Sequence, residues 1–167
     1  MKRVLTICTA LLFASSCGYH LGGLKKNEMN GYNTFSVNVF ANNTVYAKVS
    51  EQLTTALADQ MQRDGTYRMS SPDTCDFVIE GEVTRVTASS LTPNVQDTYL
   101  SSEIGLTVHV RFTVRDNRTG RKIAGSAVQA DGSYFNDSGN VQTARDSALS
   151  YATRKAAEQI TLYLTTP

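Results

Sequence analysis

Nucleophiles, imidazoles and paired carboxylates are few in this chain, and their spacing decides what they could do. The two histidines are His20 and His109. Neither belongs to an HxxxH, CxxC or GxSxG pattern, so neither carries a zinc or nucleophile signature. Glu80 and Glu82 stand two apart. On a strand they would share a face and could form a carboxylate pair, but the reading taken is solvated charge on a sheet face. Gly120 and Gly125 make no phosphate loop. No set of His, Cys and carboxylate has metal-ligand spacing. The expectation is a protein that is not an enzyme, with no catalytic residue, no metal and no cofactor.

Cysteine is the one residue type whose placement implies a covalent event. Cys17 follows Met1-Lys2-Arg3, an apolar run from Val4 to Phe13, and Ala14-Ser15-Ser16. Charge, apolar run and small residues in that order make a secretory signal peptide. The run is shorter than the roughly 20 residues of a membrane-spanning helix. A cysteine directly after the small residues looks like a bacterial lipobox. Its sulfur would receive a diacylglycerol, residues 1–16 would be removed, and the new amine would be acylated, for example with palmitate. Several chains at about 0.8 kcal/mol per buried CH₂ make a durable membrane anchor. Ala14 stands where leucine is usual, so ordinary cleavage leaving a free thiol is the alternative. Gly18, not Asp, follows the cysteine, which by resemblance to proteobacterial lipoprotein sorting implies the outer rather than the inner membrane. Cys8 would leave with the signal peptide. Cys75, close to Phe77, Val78 and Ile79, would then lack a disulfide partner and reads as a small buried hydrophobe.

The remaining polar chemistry is cationic. Arg111 and Arg115 fall on one face of a strand and Arg118, Arg121 and Lys122 in the turn after it. Together they form a candidate anion-binding edge, since arginine holds phosphates in forked geometry and lysine as a point charge. Glu80, Glu82 and Glu103 could instead balance them as ordinary surface charge. The edge is local, because the protein has no strong field. Of 16 basic residues, Lys2 and Arg3 leave with the signal peptide, so 14 remain against 15 acidic ones. A near-neutral chain is not a general nucleic-acid binder.

These residues need elements to position them. Glu103 to Arg115 alternates without a fault: Ile104, Leu106, Val108, Val110, Phe112 and Val114 on one face, polar residues on the other. Such alternation means one buried and one wet face. Asp116 to Gly120 reads as a hairpin turn, and Arg121 to Tyr134 returns with Ala124, Ser126, Val128 and Ala130 inward. Cys75 to Ala88 is a further strand whose alternation breaks at Arg85 and Val86, which a β-bulge near Gly81 or Val83 would repair. Thr34 to Phe40 alternates as a strand, and Tyr67 to Met69 is a short one. Val45, Val49, Leu53, Ala56, Leu57 and Met61 recur at helical steps, with Asn42-Asn43-Thr44 as candidate N-cap and Gly65 as terminator. A last helix spans about Val141 to Leu164, with an alanine-rich stripe through Ala148, Ala152 and Ala156. Ser89 to Ser102 reads as a long loop or frayed hairpin end. The predicted fold is α+β, a two-layer sandwich with an antiparallel-rich mixed sheet of four or five strands and both helices on one face. The predicted organisation is a signal peptide over 1–16, a lipidated tether over 17–33 and one domain over 34–167.

The mature chain resembles the LptE family of lipopolysaccharide-assembly lipoproteins. The resemblance rests on Cys17-Gly18-Tyr19-His20-Leu21 and on Phe35-Ser36-Val37-Asn38-Val39-Phe40-Ala41-Asn42-Asn43-Thr44. Asp64-Gly65-Thr66-Tyr67, Asp76 to Gly81, and Val110 to Asp116 with Thr119-Gly120 also carry it. It implies an outer-membrane, lipid-anchored protein that plugs the LptD-like β-barrel, assists its assembly and binds lipopolysaccharide. Its domain would lie on the periplasmic side or within the barrel lumen. The basic edge of Arg111, Arg115, Arg118, Arg121 and Lys122 would be the candidate glycolipid contact. A looser resemblance, to LpoB-like activators of peptidoglycan synthesis and CsgG-like secretion components, implies a periplasmic regulator or adaptor. Such an activator would be expected to carry an extended, Pro-rich tether. Gly18 to Asn33 has no proline.

Overall fold

The structure is a computed structural model that describes residues 27–91, 102–136 and 140–166. The signal peptide, Cys17, most of the expected tether and the loop segment 92–101 lie outside the described residues. Three long antiparallel strands form the sheet's centre and one edge: β4 (Phe77–Ser90), β5 (Ser102–Asp116) and β6 (Lys122–Asn136). Short parallel pieces complete it: β1 (Thr34–Val37), β2 (Ala41–Asn42) and β3 (Arg68–Met69). The order is β3-β1-β4-β5-β6, with β2 following β1 along the same strand β4. The parallel pairing of β1 with β3 requires a crossover, and helix α1 (Val49–Asp64) supplies it. Helix α2 (Val141–Thr165) lies over β6 and β5 and packs on α1. This is the expected α+β sandwich, with six strands once the two-residue pieces are counted.

The core lies between the helices and one sheet face. Leu106, Val108, Val110, Phe112 and Val114 are all buried beneath the helices, as the alternation of β5 requires. Val49, Leu53, Leu57 and Met61 of α1 recur every four residues and are buried in the same core, over the β1–β4 side of the sheet. Phe77 stacks near Phe35 and meets the rings of Tyr32 and Tyr67 edge-on. Cys75 is buried, and burial pushes its thiol pKa up. In α2 the alanines act by being small. A Cβ on Gly132 of β6 would lie 2.4 Å from the carbonyl oxygen of Ala148, so helix and strand are in backbone contact there.

Three sequence expectations shift. The strand expected over Thr34 to Phe40 ends at Val37, and Val39 is exposed. Helix α1 starts at Val49, not Val45, whose side chain is 92% exposed. The Thr44 N–H and hydroxyl both donate to Asn42 Oδ1, at 3.0 and 2.8 Å, and Asn42 Nδ2 donates to the Tyr46 carbonyl at 2.9 Å. The intended capping side chains close a local turn instead, the competition that polar side chains offer to helix starts. The helix end is as expected, with Gly65 in the left-handed region at φ 76°. The ordered domain also takes in the end of the segment assigned to the tether. Met29 is fully buried, and the Tyr32 hydroxyl donates to Asp116 Oδ2 at 2.8 Å.

Candidate functional site

With both helices on one face, the opposite face of β4, β5 and β6 is open. Its register is set by cross-strand partners. Glu80 sits opposite Thr113, Glu82 opposite Arg111, and Val78 opposite Arg115. Arg111 Nη1 donates to Glu82 Oε1 at 2.8 Å, and Arg115 Nε donates to Glu80. Asn43 Nδ2 donates to the other oxygen of Glu82 at 2.8 Å. Two of the five expected cations are therefore carboxylate-paired across β4 and β5. Those pairs are exposed, so solvent and salt weaken them and an incoming anion can compete.

The other three cations belong to the hairpin turn. The Asp116 carboxylate accepts from the backbone N–H of Arg118 at 3.0 Å and of Thr119 at 2.8 Å. The Tyr32 hydroxyl, then the Thr119 N–H, hold the Asp116 carboxyl down to a pKa of about 2. The same hydrogen bond raises the pKa of Tyr32, with burial adding to it. Gly120 takes φ 70°, which lets the chain reverse. The turn so fixed leaves Arg118, Arg121 and Lys122 exposed, and among the described residues none of the three forms an ion pair. Arg115 lies directly across from Lys122. The structure thus gathers Arg115, Arg118, Arg121 and Lys122 at one end of the sheet. Arg111 stands four residues up β5, roughly 13 Å away at about 3.4 Å per residue.

Arg111 has different neighbours. The bulge expected near Val83 is there: Val83 pairs with Val110, and Arg85, not Thr84, pairs with His109. The Thr84 hydroxyl donates to the His109 carbonyl at 3.2 Å and pins the irregularity. Past the bulge Val86 turns inward against the core, and Arg85 turns out beside His109. Arg85 is absent from the candidate set read off the sequence. The broken alternation at Arg85-Val86 is the signal that locates it.

The described residues contain no group of three or more His, Cys, Asp or Glu side chains placed to hold a metal ion. No helix among them is long and apolar enough to cross a membrane.

A family model described as "LptE: Lipopolysaccharide-assembly" matches residues 32–164. No curated protein sequence matches the chain. Among solved structures, a minor lipoprotein from Acinetobacter baumannii superposes with a TM-score of 0.54 at 20% identity, covering 80% of this chain and 93% of the other. A protein from Xanthomonas campestris gives 0.55 at 9% identity, covering 80% and 84%. A Helicobacter pylori homologue of neuraminyllactose-binding hemagglutinin gives 0.54 at 10% identity, covering 86% and 89%. At these identities the likenesses carry the fold alone.

Proposed function

This chain belongs to the LptE family of lipopolysaccharide-assembly proteins, and from that premise we propose that it plugs and helps assemble an LptD-like outer-membrane barrel. Membership supports the general role of an outer-membrane assembly lipoprotein and makes the protein non-catalytic. The family match across residues 32–164 is the observation that carries the reading. Two features support the finer role. The sheet leaves the face opposite the helices open among the described residues, and β6 is an edge strand with only the short turn Asn27–Met29 and helix α2 set against it, which is surface a surrounding wall can meet. Cations line the turn end of that face, which suits an amphiphile with anionic sugars.

In this reading the protein hangs from the outer membrane by acyl chains on Cys17. Its domain stands on the periplasmic side or within the barrel. Lipopolysaccharide phosphates meet Arg111, Arg115, Arg118, Arg121 and Lys122. The unpaired turn cations engage first, and Arg111 and Arg115 exchange a carboxylate partner for a phosphate. Depleting the protein in cells should lower both the assembled barrel and the glycolipid at the cell surface. Normal surface glycolipid, together with a changed rate of peptidoglycan synthesis, would overturn the reading in favour of an activator.

A further inference from the structure

The open face carries a second basic feature, apart from the turn. Arg85, His109 and Gln129 lie directly across from one another on β4, β5 and β6. Arg111 and Ala127 follow in the next outward row. Together with Thr84 they border a shallow depression of about 490 Å³. Neighbouring strands are about 4.8 Å apart, so three donor-bearing side chains stand within roughly 10 Å across the sheet. The small side chain of Ala127 leaves the floor open.

The charges here are not self-compensating. Arg111 has Glu82 as partner, and Glu82 is engaged at its second oxygen by Asn43. Asp131, next along β6, accepts from the Thr107 hydroxyl at 2.6 Å. Arg85 forms no ion pair among the described residues. The bulge decides its position: were Thr84 paired in regular register, Arg85 would point into the core and Val86 into water. Bulges re-aim side chains in this way, and this one is fastened by the Thr84 hydroxyl.

We infer that Arg85, His109, Arg111 and Gln129 form a subsite for a phosphate monoester, distinct from the basic turn. A forked guanidinium, an imidazole and a carboxamide are three kinds of donor approaching from different strands. That suits a tetrahedral oxyanion with three free oxygens better than a planar carboxylate with two. The subsite shares Arg111 with the proposed glycolipid contact, but it needs no barrel and no acyl chain on the ligand, so its failure at Arg85 is distinguishable from failure of the proposed function.

The test uses full-length protein in dodecyl maltoside micelles, with side-chain NMR signals of His109 and Gln129 as readout. Glucosamine 1-phosphate and inorganic phosphate are titrated in separate arms, with glucosamine as the phosphate-free control. Saturable shifts at His109 and Gln129 with a phosphate-bearing probe, and none with glucosamine, are expected. Tighter binding of the sugar phosphate assigns the site to a phosphorylated sugar, and equal binding assigns it to phosphate alone. Arg85→Gln should weaken binding at least about fivefold, since a charge-assisted bond to an anion is lost. Thr84→Val should weaken it through the bulge, while Arg118→Gln should not. Arg85 is exposed, so its variant should keep the parent melting temperature. Shifts that stay linear to the highest concentration, or an Arg85→Gln protein that binds as tightly as the parent, would overturn the subsite.

Discussion

Asp116 shows how one side chain links the segment before the first strand to the basic turn. Its carboxylate takes a hydrogen bond from Tyr32, before the first strand, and two from the turn that bears Arg118. Its pKa is about 2 in the folded protein against an ordinary 3.8. A depressed carboxyl contributes stability that is complete above the unfolded value and is lost as pH falls toward the folded one. Tyr32→Phe should therefore raise the Asp116 pKa in a carboxyl NMR titration and move acid unfolding to higher pH. An unchanged titration would mean the backbone donors alone hold the carboxylate. The cations of the open face make the second residue-scale prediction. Replacing Arg111 and Arg121 by Ser should weaken binding to purified lipopolysaccharide at least tenfold, because charge-assisted bonds contribute roughly 1.5–3 kcal/mol each. Folding should be nearly intact, since both side chains are exposed. Binding should also decline with added salt. A double variant that binds like the parent would leave these residues as surface charge.

At the scale of elements, β5 and α2 set the architecture through opposite means. Strand β5 buries a full row of large side chains, and Val108 sits in its middle with no exposed surface. Val108→Asp would place a carboxylate without a partner in the core beneath α2 and should destabilise the domain by about 4 kcal/mol or more. A melting temperature unchanged by it would reverse the face assignment. Helix α2 packs through absence of side chain. Gly132→Ala would drive a methyl group into the Ala148 carbonyl and force helix and strand apart. Overpacking of this kind costs roughly 1–3 kcal/mol. Thermal or urea unfolding should show that loss, whereas Ser133→Ala, one residue on and facing solvent, should be close to neutral.

For the whole molecule, the decisive matter is how a near-neutral domain is kept at one membrane. A diffuse electrostatic attraction has little charge to work with, so the acyl chains expected on Cys17 would have to supply the attachment. Labelled fatty acid should enter the wild-type protein. Cys17→Ala should lose both the label and the membrane fraction while the domain keeps its melting temperature. An unmodified mature N-terminus at any residue other than Cys17 would sink the anchor.

What the chain determines alone is periodic. The two-residue alternation of Ile104 to Val114 dictates a strand with one buried face, and the four-residue steps from Val49 to Met61 dictate an amphipathic helix. Both follow from local geometry, so both were legible, as was Gly65 at the helix end. The Asn42–Thr44 turn was not, because helix cap and local turn use the same side chains and only their competition decides. The candidate anion-binding residues were half legible. Arg118, Arg121 and Lys122 fall together because a tight turn keeps sequence neighbours close in space. Arg111 and Arg115 were placed on the right face, but their carboxylates come from β4, some thirty residues earlier in the chain, and only pairing register joins them. Arg85 meets His109 through one extra residue at Thr84. A bulge reverses every side chain beyond it, so the sequence records that the pattern breaks, and only the paired sheet decides which side of the break faces water.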